Sequence, residues 1–273
     1  TALAFAEAPK RNVVFILSDD HRFDFMGFTG KLPWLKTPHM DRMAERGVYF
    51  DQAYVTTSLC SPSRASILTG LYAHTHTIVD NQAPNPGNLT YFPEYLQEAG
   101  YQTAFFGKWH MGDESDDPQP GFHHWESFKG QGVYTGVTLN INGEHTSYED
   151  TVYTSDLLTE HAVEWMEQLE SDQPFFVYLS HKAVHSEFKQ AARHAGMYAG
   201  VDYELPATYS QTQDGSYKDL LWPEWVKEQR HSWHGVDYMY HGIGTVGDLV
   251  IDYCETLMGV DESIGSVMAY LEA

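Results

Sequence analysis

The sequence predicts an α/β fold with a mostly parallel central sheet flanked by helices, and three observations lead there. Residues 12–18, Asn-Val-Val-Phe-Ile-Leu-Ser, form a continuous apolar run of the kind buried on both faces of a parallel sheet, and residues 174–180 repeat it. Residues 155–169 and 245–273 instead space their apolar side chains helically: Leu157, Ala162, Trp165, Met166 and Leu169, then Leu249, Tyr253, Leu257, Val260, Ile264, Val267 and Leu271. With 273 residues, the chain can bury about three-quarters of its unfolded surface in one core and needs neither disulfide nor metal to fold.

Taken in order, the run at 12–18 is a strand that stops at Asp19-Asp20. Acidic residues at the carboxyl end of a central strand lie where α/β sheets place ligands. Thr37-Pro38 opens a helix closed by Gly47, with an N-cap, proline at N1 and glycine at the end. Residues 49–55 suggest a second strand. Residues 62–70 begin with proline and end with glycine, so Cys60 falls just before a helix N-terminus, a place that favours anions. A short helix over 93–99, closed by Gly100, leads to a strand at 101–106 that delivers Gly107-Lys108-Trp109-His110. The strand at 174–180 delivers His181-Lys182-Ala183-Val184-His185. Three strands thus end in titratable clusters, which predicts one site along one sheet edge. Residues 113–153 and 189–244 lose periodicity and read as long, aromatic-rich loops.

Thirty-eight acidic residues against sixteen basic ones give a formal charge of −22, which repels nucleic acid and anionic membrane. An anionic small group can bind only where a metal or clustered cations reverse the local field. No apolar run approaches the ~20 residues of a membrane span. The two cysteines, Cys60 and Cys254, provide no disulfide framework, although one bridge between them is open. Residues 1–9 resemble the end of a secretory signal, with Ala4 and Ala6 in an A-x-A arrangement, or else a frayed terminus. The expected organisation is a leader remnant over 1–9 and one domain over 10–273, in a secreted or periplasmic protein.

The decisive segment is Cys60-Ser61-Pro62-Ser63-Arg64-Ala65-Ser66-Ile67-Leu68-Thr69-Gly70. It resembles the signature C-x-P-S-R-x-x-x-L-T-G of the type I sulfatases at every specified position. Gly100-Tyr101-Gln102-Thr103-Ala104-Phe105-Phe106-Gly107-Lys108-Trp109-His110 likewise resembles their second signature, G-Y-x-T-x-x-x-G-K-x-H. The resemblance implies the alkaline-phosphatase-like α/β sandwich. It also implies that a formylglycine-generating enzyme oxidises Cys60 to formylglycine, whose hydrate attacks sulfur with one hydroxyl and releases sulfate with the other.

By the same resemblance, Asp19, Asp20 and the modified Cys60 hold a divalent metal, Ca²⁺ or Mg²⁺, as hard oxygen ligands would. Arg64 steadies the nucleophile and the carboxylates, and Lys108 binds sulfate. His110 and His185 are the candidates for proton transfer, and His185 also for sulfate binding. His181 and Lys182 are alternatives to His185, because Val184 stands where family members usually carry proline. Asn81 could line the pocket. Asp24 reads as a loop acid, and the His74/His76 pair answers to no ligand set of this metal. Trp222, Trp225, Trp233, His231 and His234 either wall a sugar site or pack their loop.

Family members are longer and supply, after a helix like that at 245–273, a strand ending in Asp-Asn or Asp-His and a further lysine. The expectation is therefore a fragment, completed by a C-terminal segment or partner chain. The expected activity is sulfate-ester hydrolysis on a sulfated carbohydrate. A formylglycine phosphodiesterase or phosphonate monoester hydrolase, or a catalytically incomplete relative that binds sulfated glycan, are the alternatives.

Overall fold

The structure, a computed structural model, describes residues 10–112, 115–170, 172–206, 221–228 and 246–273. In chain order the elements are β1 (Val13–Leu17), α1 (Pro38–Arg46), α2 (Cys60–Thr69), α3 (Ala73–His76), α4 (Phe92–Glu98), β2 (Gln102–Lys108), β3 (His124–Phe128), β4 (Thr138–Ile141), β5 (Glu144–Ser147), α5 (Thr154–Glu167), β6 (Phe175–Ser180), α6 (Glu224–Glu228) and α7 (Val246–Glu272). The chain divides into two compact units, residues 1–185 with 259–273, and residues 186–258.

The first unit is built on a six-stranded sheet in the order β1-β6-β2-β3-β4-β5. The first four strands in that order are parallel; β4 pairs antiparallel with β3, and β5 antiparallel with β4. The expected α/β architecture with a mostly parallel sheet is thus what the chain adopts.

Alternate side chains of β2 and β6 feed opposite faces, as the two-residue period of a strand requires. Ala104, Phe106, Val177 and Leu179 pack with Leu158, Ala162 and Met166 of α5 and Val267 of α7. Phe105, Phe176 and Tyr178 pack on the other face with Ala65 and Leu68 of α2 and with Tyr91, Trp109 and Trp125. Burying both faces explains the unbroken apolar run at 174–180.

Register aligns the strand ends. Leu17 pairs with Ser180, and Ser180 with Gly107, so the residues that follow emerge at one edge. Gly107 cannot be replaced there, since a Cβ would lie 2.0 Å from the Ser180 carbonyl oxygen.

Several local expectations change. Residues 49–55 form no strand; Phe50 and Tyr54 are 76% and 85% exposed and make no sheet pairing. The β-branched and aromatic run has the propensity but no neighbouring strand to satisfy it among the described residues. Conversely, 113–153 is not one irregular loop: it holds β3, β4 and β5, too short and too interrupted by glycine to show alternation. Cys60 is the first residue of α2, with Leu59 as its cap, not a residue ahead of it. Thr37 precedes α1, yet its hydroxyl caps no N–H of that helix: it donates to the Asp41 carboxylate (2.9 Å) and accepts the Gly27 N–H (2.8 Å).

In the second unit, the Glu255 carboxylate accepts from the Gly196 and Tyr198 N–H groups at 3.0 and 3.1 Å and from Gln190 at 2.8 Å. The Tyr253 ring meets Phe188 edge-on. Trp222 and Trp225 are exposed; Trp233, His231, His234 and the leader-like residues 1–9 lie outside the described residues. No described helix is long and apolar enough to cross a membrane. Cys60 and Cys254 are both free thiols, so the bridge left open above is not formed.

Candidate active site

Asp19 follows β1 and is held by two main-chain bonds to the segment after β6: its N–H donates to Ala183 (2.9 Å), and its carbonyl accepts from Val184 (2.7 Å). Its buried carboxylate meets two cations. Lys108, the last residue of β2, forms an ion pair with Oδ2, and Arg64 reaches the same oxygen at 3.3 Å. Burial pushes this carboxyl up, but Arg64 and Lys108 outweigh it and hold the pKa at about 2. Asp20 goes the other way, raised by burial and by the Asp19 charge. Two adjacent acids with opposed shifts mark a place where ionisable groups are crowded together.

Cys60 faces that pair. Its sulfur lies 3.9 Å from Asp19 Oδ1 and 3.7 Å from Lys108 Nζ. Ligand atoms of Asp19, Asp20 and Cys60 all fall within 4.8 Å of one another. Burial, then the Asp19 charge, pushes the Cys60 thiol up, so as a thiol it stays protonated and weakly nucleophilic at neutral pH.

Arg64, one turn along α2, makes three bonds from its guanidinium here. Nη1 donates to the Lys108 carbonyl (2.5 Å) and to Ser180 Oγ (2.7 Å), while Nη2 serves Asp19. Ser180 Oγ in turn donates to the Lys108 carbonyl at 2.8 Å. Asn81 accepts the Ser61 N–H at 2.9 Å, so it satisfies a free donor in the first turn of α2. Its role in the structure is to anchor the helix that carries Cys60.

His110 is buried, with its carbonyl tied to Ser61 Oγ at 2.6 Å. Both His110 (φ 46°) and Asp20 (φ 52°) adopt left-handed backbone, a conformation concentrated at functional sites. His185 Nε2 stands 3.8 Å from Asp20 Oδ2. Lys182 lies over the Tyr134 ring, and burial followed by the Lys108 charge lowers it to about 8. Three cations thus gather around the aspartates of a chain with a formal charge of −22, reversing the field locally.

The cluster therefore unites Asp19, Asp20, Cys60, Arg64, Lys108, Lys182 and His185. His181 is not brought to it. It is fully buried, its Nε2 bonded to Ser263 Oγ at 2.9 Å, and burial lowers it to about 4. Beyond β6 the chain leaves strand geometry and turns, with the His185 N–H donating to the Lys182 carbonyl at 2.9 Å, so strand alternation does not govern where these side chains go. His76 is likewise structural, bonding Ser66 Oγ and accepting the Ile78 N–H. Asp24 pairs with Arg22. Gln131 was not anticipated; its Oε1 accepts from Lys108 Nζ at 2.5 Å. The only trace in the sequence is its place between two glycines.

The family model described as Sulfatase matches residues 11–273. The chain belongs to the sulfatase family. It is 30% identical to the N-acetylglucosamine-6-O-sulfatase of Bacteroides thetaiotaomicron over 318 aligned positions, covering 97% of this chain and 56% of that protein. A solved structure of a protein in complex with its substrate D-glucosamine-2-N,6-O-disulfate superposes with a TM-score of 0.76 at 28% identity, covering 96% of this chain and 62% of that one. A multifunctional alkaline phosphatase superfamily protein of Trinickia caryophylli is 26% identical over 96% of this chain and 60% of its own length. The sulfatase family places the chain in the alkaline phosphatase superfamily and makes it homologous to sulfuric ester hydrolases. The chain spans about 56–62% of the length of these relatives.

Proposed function

We propose that this chain carries the nucleophile end of a sulfuric ester hydrolase acting on a sulfated carbohydrate, with Cys60, as formylglycine, attacking sulfur. One observation carries it. The Cys60 position, two carboxylates and two buried cations converge at the carboxyl edge of one sheet. Oxidised to formylglycine, residue 60 supplies a hydrated aldehyde, with one hydroxyl to attack sulfur and a second to let sulfate leave. The unmodified thiol, held protonated, would make a poor substitute.

Asp19, Asp20 and residue 60 fit a hard divalent cation such as Ca²⁺, or Mg²⁺. Two of the three donors are carboxylates, and Asp20 is raised by burial and then by its neighbour's charge, a repulsion that a cation would relieve. Such an ion supplies charge for a sulfate oxygen and for the nucleophile. Around it, Lys108 Nζ is placed to hold negative charge beside residue 60, and Arg64 fixes Lys108 and Asp19 relative to each other. Lys182 faces the same space. His185, with Nε2 directed at Asp20, is placed for proton transfer to the leaving alcohol, and His110 is the other candidate.

A carbohydrate substrate is supported by the names of the relatives, and a 6-O-sulfated glucosamine is the first to test. Export to the periplasm or beyond is part of the proposal, supported by the Ala4-x-Ala6 pattern. The test is a parallel assay of formylglycine-bearing protein on 6-O-sulfated glucosamine, an aryl sulfate and an aryl phosphodiester. Preferential release of sulfate supports the proposal. Faster phosphodiester cleavage, or glycan binding without turnover, would replace it.

A further inference from the structure

Lys108 ends β2 fully buried, and its ammonium has three protons to place. Asp19 Oδ2 takes one, the Cys60 sulfur lies 3.7 Å away, and Gln131 Oε1 accepts at 2.5 Å. Gln131 stands between Gly130 (φ 55°) and Gly132 (φ 65°) in the loop after β3. That turn admits no larger residue at its second glycine, where a Cβ would come within 2.2 Å of the Phe128 ring. Thr154 fastens the chain just beyond. Its Oγ1 donates to the Val133 carbonyl and its N–H to the Tyr134 carbonyl, both at 2.8 Å. The carboxamide is therefore presented to Lys108 by a pinned loop.

We propose that Gln131 is a positioning residue that sets the rotation of the Lys108 ammonium, so that one N–H points at the reacting atom of residue 60 without losing its charge. An ammonium turns easily about its last bond, and two directional acceptors fix where the third proton goes. A carboxylate in place of Gln131 would orient the ammonium equally well. It would also set a second negative charge against Lys108 and repel an anionic substrate. A neutral acceptor gives orientation alone. The positioning role presupposes the sulfatase activity proposed above.

Two variants separate orientation from charge. Gln131→Ala removes the acceptor, and Gln131→Glu keeps it at the same length while adding charge. Inorganic sulfate serves as the probe, titrated calorimetrically into the protein with and without Ca²⁺, and kcat and KM for an aryl sulfate are measured on the formylglycine-bearing enzyme. Circular dichroism checks that both variants fold. Gln131→Ala is expected to keep its sulfate affinity and its KM while kcat falls about 10–100-fold, the scale of a misplaced catalytic group. Gln131→Glu is expected to weaken sulfate binding by at least about tenfold, an effect that shrinks as salt rises. If wild type binds and hydrolyses while Gln131→Ala keeps its kcat, or Gln131→Glu binds sulfate equally tightly, the positioning role is overturned and the sulfatase activity stands. If wild type neither binds sulfate nor turns over, the activity itself fails and the positioning role with it.

Discussion

Arg64 Nη1 donates to the main-chain carbonyl of Lys108 at 2.5 Å, which ties the helix beginning at Cys60 to the end of the strand carrying the buried ammonium. With Nη2 on Asp19 and a further bond to Ser180, one guanidinium connects α2 with the ends of β2 and β6 and with the second residue past β1. The two sequence signatures are therefore one physical object.

Removing that guanidinium leaves Asp19 with a single cation and two buried acceptors short of a donor. Arg64→Ala should cost about 3–5 kcal/mol of unfolding free energy, the scale for breaking a buried pair. Arg64→Lys restores the charge without the fork and should recover only part of it. Urea denaturation of the three proteins measures this; equal stability would show that the cluster does not rest on Arg64.

Asp20 is raised by burial and by Asp19, so a divalent cation should find two carboxylates whose repulsion it relieves. Added Ca²⁺ should raise the thermal midpoint of wild type, by the equivalent of about 2.7 kcal/mol at a hundredfold excess over Kd. Asp20→Asn should lose most of that gain. A midpoint insensitive to Ca²⁺ in wild type would remove Asp19 and Asp20 as ligands.

His181 sets an acid limit on stability. Its folded pKa, about 4, lies below the ordinary 6.5 because burial disfavours the imidazolium. The fold thus favours the neutral ring, and its contribution is complete above the unfolded pKa. It declines as pH falls from 6.5 towards 4, by up to about 1.4 kcal/mol per pH unit. Asn in its place can still bond Ser263 but does not titrate. The stability difference between wild type and His181→Asn should therefore shift against wild type between pH 7 and pH 5, and a constant difference would contradict the burial effect.

The Glu126 carboxylate, on β3, accepts from His161 of α5 at 2.6 Å and from His124 at 2.8 Å. Burial raises Glu126, but the two histidine bonds outweigh it and lower its pKa; the bond to Glu126 raises that of His161. The His161 contribution is complete below its unfolded pKa and lost as pH rises through the raised value. The Glu126 contribution is complete above its unfolded pKa and lost as pH falls through the lowered one. The pair should stabilise most between about pH 4.5 and 6.5, by roughly 1.5–3 kcal/mol. His161→Leu should cost more at pH 6 than at pH 9, as read by denaturant midpoints.

Much of this site could be read from sequence because parallel strands end at a common edge. Apolar runs 12–18 and 174–180 announced β1 and β6, and the residues after them had to meet wherever those strands paired. Cys60, Arg64 and Lys108 were legible from their motifs. His181 was not separable from Lys182 and His185, because the face a side chain takes after a strand depends on a register that five residues of sequence do not encode. Gln131 was hidden for another reason: a turn between two glycines carries no chemical pattern until its partner across the fold is known. Residues 49–55 had the composition of a strand but no described strand to pair with, a tertiary condition that local propensity cannot express.

The central claim is that residue 60 acts as formylglycine. It is tested most directly by the mass of the peptide spanning residues 54–64, from protein produced together with a formylglycine-generating enzyme. Conversion of the thiol to the aldehyde should remove about 18 Da, and hydration of the aldehyde should restore it. The Cys60→Ser protein serves as the unconverted control. The loss is expected at Cys60; finding only the intact thiol would contradict formylglycine chemistry there and leave a half-buried, protonated cysteine with no part in sulfate chemistry.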